Sequence, residues 1–159
     1  MHLTVLQPFF QWCDATALGG WVRGDRWQFP MIETFHILAL TMLYGCVVIL
    51  SLRLMGVLMK GWTVAALEEQ LRPWLNGSLA IILVTGILLY LSEAMKAFIN
   101  DAFWIKVYLL TAALIFHFTL FRKVTTSAEV SPVTGKLVGA VALFLWLGIG
   151  CAGRAIGFV

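Results

Sequence analysis

Four stretches of this chain run free of charged residues for close to the length of a bilayer: 34–52, 73–92, 107–121 and 137–153. A spanning helix needs roughly 20 apolar residues, so the pattern predicts four transmembrane helices. The third window is the short one, and it grows to 103–121 if Lys106 is admitted with its stem snorkelling toward the interface. Local signals set the boundaries. Pro30 precedes the first window, and Pro73 opens the second, where a missing N–H does no harm. Asn100 or Asp101 can cap the third, and Ser131, Pro132 and Gly135 mark the turn into the fourth. Extended to these signals, the spans are expected at about 31–58, 73–93, 102–122 and 136–154.

Residues 1–30 are too polar to span and are rich in ring side chains, with Phe9, Phe10, Trp12, Trp21, Trp27 and Phe29. Such a composition belongs at the membrane–water interface, and a short amphipathic helix followed by a loop is expected there. The stretch 63–72 could form a similar surface helix, with Val64, Leu67 and Leu71 toward the lipid. The expected fold is all-α: an integral membrane four-helix bundle, residues 31–159, preceded by an N-terminal interfacial amphipathic segment.

Composition agrees. Of the 159 residues, 61% are hydrophobic and 12% charged, against about 25% charged in soluble domains. The mean hydropathy is +0.92. A net charge of +3, with the basic residues scattered among loops, leaves no footprint for nucleic acid. Cys13, Cys46 and Cys151 are far apart and form no C-x-x-C, which excludes a thiol redox pair and covalent c-type haem attachment. No Lys or Arg precedes Arg23 and Pro8 interrupts the apolar run. The opening segment is therefore not expected to be a secretory signal, and the first span is expected to direct insertion.

Four spans put both termini on one side, side A. Side B then carries Arg53, Lys60, Arg72, Arg122, Lys123 and Lys136, and side A carries Arg23, Arg26, Lys96, Lys106 and Arg154. Six basic residues against five assign side B to the cytoplasm and the termini to the periplasm.

The spans contain two histidines, His36 and His117. Ionisable side chains at membrane depth are costly and mark functional sites by default. In a small helical bundle the leading role for such a residue is axial ligation of a haem iron. His36 closes an E-x-x-H that begins at Glu33, and that spacing puts both side chains on one helix face. The carboxylate could then orient the imidazole. His117 shares the stripe Phe103, Lys106, Leu110, Ala113 and Phe121, which should face the bundle. The plainer reading puts Glu33 in the headgroup region with His36 bonded to a neighbouring helix, and makes His117 a core histidine bonded to a backbone carbonyl or Asn76.

The first and third helices run parallel. With residues 44 and 112 as midpoints, His36 lies eight residues toward side A and His117 five toward side B. At about 1.5 Å per residue they are roughly 20 Å apart along the membrane normal, too far to share one iron. His36 could pair with His2 on side A; either could pair with its own copy in a homodimer, or with a Met, a water or a partner subunit. Glu33 and Lys106, near one end of these helices, are expected to form a partly buried ion pair. Arg53 is expected to anchor the interface, or to pair with a haem propionate or quinone oxygen; Arg154 poses the same question on side A. Met55 and Met59 are nominal metal donors. The G-x-x-x-G pairs Gly135/Gly139 and Gly153/Gly157 suit a dimer or packing within the bundle.

The run WQFPMIETFHILALTMLYGCVVILSLRLMG resembles the opening of a family of small bacterial four-helix membrane proteins without a settled activity. The residues that carry the likeness are Trp27, Pro30, Glu33, His36, Gly45, Arg53 and Gly56. Thr85-Gly86, the run from Asn100 to Lys106, and Phe116-His117 are similar to its second and third helices. More distantly, the E-x-x-H resembles haem-A-synthase-type and copper-resistance-D-type bundles. Together these readings lead to an expected b-type haem protein of the bacterial inner membrane, an electron-transfer subunit of a larger complex. Its candidate cofactor residues are His36, His117, Glu33, Lys106 and Arg53. The alternatives are an accessory or anchor subunit without a cofactor, and a copper-handling protein.

Overall fold

The computed structural model describes residues 3–127 and 129–158. The described elements are α1 (Leu3–Asp14), α2 (Ala17–Gly24), α3 (Gln28–Leu54), α4 (Val64–Ser92), α5 (Ala94–Ile99), α6 (Asp101–Phe116), a π-helical turn (His117–Phe121), α7 (Arg122–Thr125) and α8 (Pro132–Ala155). Four apolar helices are long enough to cross a membrane: α3, α4, the continuous run Asp101–Thr125, and α8. The expected all-α architecture is present.

Their ends follow from local chemistry. Thr63 Oγ accepts from Ala66 N–H at the start of α4, and Asn100 Oδ1 accepts from Phe103 N–H at the start of α6. Ser131 Oγ accepts from Thr134 N–H, with Pro132 opening α8. At the end of α3, Gly56 adopts φ +76°, the left-handed region. Its N–H donates to the Arg53 carbonyl and that of Val57 to the Leu52 carbonyl, the paired bonds of a Schellman stop.

Two elements depart from expectation. The stretch 63–72 is not a separate surface helix, because α4 runs unbroken through Pro73. Its 29 residues make roughly 43 Å of helix, against a hydrocarbon core of about 30 Å. The excess is about nine residues; placed at the N-terminal end, it would carry 64–72 beyond the hydrocarbon on side B. There, water can satisfy the carbonyl that Pro73 leaves without a donor. The N-terminal segment holds two helices in place of a helix and a loop. Arg23 ties α2 down, donating to Asp14 Oδ1 at 3.0 Å and to the Ser92 carbonyl at 2.8 Å.

The helices pack in the order α4, α3, α8, α6, with α3 against both α4 and α8. The main core gathers Leu43, Val47, Leu50, Leu79, Ala113, Phe121, Ala142 and Trp146. Burial of such side chains is not what holds helices together in lipid; close contact is. Glycines of α8 provide it. A Cβ at Gly135 would lie 2.7 Å from the Leu54 carbonyl oxygen, and one at Gly139 2.7 Å from that of Ser51. This G-x-x-x-G therefore seats α8 on α3 within the bundle.

The α4 and α6 helices scarcely touch along their length; α4 meets that span through α7 at the side B end. On side A a ring cluster bridges them, with Phe10 of α1 buried among Tyr90, Phe98, Phe103 and Trp104. Tyr90 stacks on Phe103 at 5.6 Å. The two helices are thus joined near both ends and scarcely in contact between them.

Candidate functional site

His36 sits half-buried on α3 with its ring turned to α4. Its Nδ1 lies 2.8 Å from Thr85 Oγ1. The Thr85 hydroxyl has one proton, and it donates it to the Ile81 carbonyl at 2.6 Å. The bond to His36 therefore has Nδ1–H as donor and Thr85 as acceptor. On this assignment of the protons Nε2 keeps its lone pair, and it makes no hydrogen bond among the described residues. Gly86 gives the ring room, since a Cβ there would stand 3.4 Å from Cε1.

Lys106 enters the same region from α6 and is the charge that acts on the His36 ring. Its Nζ rests against Gly153 of α8, 3.5 Å from where a Cβ would lie. It makes no ion pair or hydrogen bond among the described residues. The ring pair Tyr90–Phe103 lies on the side A flank of this region, about one turn from Thr85 and Lys106 along their helices.

The expected Glu33–Lys106 ion pair does not form. Glu33 is exposed, and α3 packs on α4 and α8 while α6 packs on α8. Their side chains approach different neighbours. Glu33 does not orient the imidazole either; Thr85, from the facing helix, does. Arg53 Nε donates to the Trp62 carbonyl at 2.7 Å and clasps the α3–α4 loop. Arg154 stacks over the Phe158 ring at 4.6 Å. His2 lies outside the described residues.

His117 begins the π-helical turn and is 6% exposed. It stacks on Phe121 at 5.4 Å and meets Trp146 edge-on at 6.4 Å. The bond to a carbonyl or Asn76 that the plainer reading required is missing, and its buried Nδ1 has no partner among the described residues. It lines a cavity of about 20 Å³ together with Glu68, Arg72, Asn76, Arg122 and Thr125. Glu68 is 7% exposed, and both its oxygens accept from Arg72, at 3.0 Å and 2.5 Å.

The two histidines thus contact one helix at different depths. Thr85, beside His36, lies nine residues beyond Asn76 and seventeen beyond Glu68, roughly 14–26 Å along α4. They form two sites, as the helix directions implied. Among the described residues no group of three or more His, Cys, Asp or Glu side chains is placed to hold a metal ion.

Fold and sites together define a small polytopic membrane protein with polar centres at two depths inside its helices. The chain belongs to DUF6644, a family of unknown function, whose model matches residues 9–159. Neither the curated proteins nor the solved structures contain a match to it. The wider likeness to haem-A-synthase-type and copper-resistance-D-type bundles therefore rests on the E-x-x-H alone.

The sequence singled out both histidines but not what surrounds them. Thr85 and Gly86 stand out in their span only as a polar and a small residue among aliphatic ones. Glu68 and Arg72 fall in the stretch expected to form a surface helix, and nothing in HFTLF announces a π turn.

Proposed function

We propose that this protein is a membrane-embedded electron carrier that binds a b-type haem through His36, as a subunit of a larger redox complex in the bacterial inner membrane. The observation that carries the reading is the His36 tautomer. Thr85 holds the proton on Nδ1 and leaves the Nε2 lone pair free, which is the form an imidazole ligand requires. A porphyrin brings four nitrogen donors of its own, so one protein nitrogen suffices where a bare metal ion would need several. Lys106 adds a cation without a counter-charge, suited to a propionate carboxylate. On this reading a flat ring system would enter between α4 and α6, which scarcely touch along their length. The second axial position falls to a partner subunit, a second copy of this chain, or His2.

Haem itself would supply the one-electron couple; the protein's part is to ligate, bury and set the charge around it. On this reading side B faces the cytoplasm and both termini the periplasm, by the excess of basic residues on side B.

Absorption spectra of the purified protein, oxidised and then reduced, test the proposal. A Soret band and sharp reduced α and β bands are expected, absent in His36→Ala and unchanged in His117→Gln. A protein that stays colourless after incubation with hemin would overturn the reading in favour of an anchor subunit. Stoichiometric copper without a Soret band would overturn it in favour of copper handling.

A further inference from the structure

The His117 cavity takes no part in the His36 reading, yet it has the features of a built site. Its volume, about 20 Å³, exceeds the 10–15 Å³ or so that one water needs and falls far short of any organic ligand. Its walls are polar on three elements: Glu68, Arg72 and Asn76 from α4, His117 from the π turn, and Arg122 and Thr125 from α7. The imidazole is 94% buried by its 6% exposure, and neither ring nitrogen has a hydrogen-bond partner among the described residues. A buried ring nitrogen without a partner costs on the order of 1–3 kcal/mol. A water in the adjoining cavity would remove that cost.

The π turn adds a second signal. Such turns are unfavourable insertions in an α-helix and recur at functional positions. This one begins at His117 and ends at Phe121, the ring stacked on it. The neighbouring carboxylate is the third. Glu68 is buried and shares the cavity wall with the histidine. It stands at the side B end of α4.

We infer that the cavity binds a single water that joins Glu68 to His117, and that the three form a proton-exchange site between the side B aqueous phase and the bundle interior. The step is a double transfer. Protonated Glu68 gives its proton to the water as the water gives one of its own to the imidazole. The products are a carboxylate, an imidazolium and an unchanged water. The charged groups facing the ring are Glu68 and Arg72 from α4 and Arg122 from α7. The faces contributed by α3 and α8, Leu50 and Trp146, carry no charge. Arg72, bound to both oxygens of Glu68, holds the carboxylate in place. The site stands independently of haem at His36.

The test is 15N spectroscopy of histidine-labelled full-length protein in lipid bilayers, with the His117 ring assigned by its loss in His117→Gln. In the unaltered protein, magnetisation from water should reach the His117 ring nitrogens, although the ring is buried. Glu68→Gln should retain that transfer and displace the ring's titration midpoint by about one pH unit or more, the effect of a charge lost within 4–6 Å. A His117 ring without water transfer at any pH would overturn the inference, and needs no variant to observe. So would superimposable titrations of the unaltered protein and Glu68→Gln. The His36 resonances should be unchanged throughout, which separates this outcome from the haem reading.

Discussion

The imidazole of His36 is governed by a hydroxyl on another helix, and that single bond decides what the residue can do. An E-x-x-H invites the view that the glutamate three residues earlier orients the ring, because both side chains share one helix face. Sequence spacing reports only contacts within one helix. It could not show that α4 brings Thr85 to within 2.8 Å of Nδ1, or that the threonine's own proton is committed to Ile81. Replacing Thr85 with the near-isosteric Val should leave Nδ1–H without an acceptor at a cost of about 1–3 kcal/mol. It should also release the tautomer, weakening hemin binding by roughly 10–100-fold, the usual effect of losing the group behind a ligand. Thr85→Ser should restore most of it, and Glu33→Gln should leave binding unchanged. Titration with hemin, followed at the Soret band, measures all three. Equal losses in Thr85→Val and Glu33→Gln would return the orienting role to the carboxylate.

At the scale of elements, four long apolar helices were legible in the sequence pattern, because length and absence of charge are what a bilayer demands. It was less reliable at their ends. Pro73 looked like the first residue of a helix, yet it lies inside α4, where a helix end beyond the hydrocarbon would let water replace its lost bond. The small residues of α8 were legible as contact residues but not for which contact. In the structure Gly135 and Gly139 lie against backbone carbonyls of α3, so they serve the bundle and not a dimer. A bulky residue at 139 must push the helices apart. Gly139→Val should therefore lower stability by about 1–3 kcal/mol, the scale of overpacking in a close contact. Gly45→Ala, where nothing lies within 4 Å of the new Cβ, should change it by less than about 0.5 kcal/mol. Unfolding in mixed detergent micelles compares the two. A Gly139→Val protein as stable as the parent, yet changed in oligomeric state, would move the motif to an interface between copies.

Across the whole molecule the charge asymmetry is small, six basic residues on side B against five on side A, but the structure refines which of them count. Arg72 neutralises Glu68 in a pair of close hydrogen bonds, and Arg53 is folded onto the loop carbonyl of Trp62. Arg23 is held by Asp14 and Ser92, and Lys96 is paired with Glu93 at 2.6 Å. Orientation follows Lys and Arg near the span ends, with acidic residues contributing little, so pairing does not reverse the bias. Among the described residues Arg53, Lys60, Arg122, Lys123 and Lys136 remain on side B without a carboxylate partner, against Arg26, Lys106 and Arg154 on side A. Lys106 stands inside a span, which leaves side A with two at its surface. Side B should therefore face the cytoplasm. Cys151 is the exposed cysteine among the described residues and can be replaced by Ser, while Cys13 and Cys46 are buried. In that background a membrane-impermeant maleimide added to intact spheroplasts should label Arg26→Cys and leave Lys60→Cys unlabelled until the membrane is opened. The reverse pattern would put side B outside. The His117 cavity would then draw its protons from the periplasm, and the direction of proton uptake would be inverted.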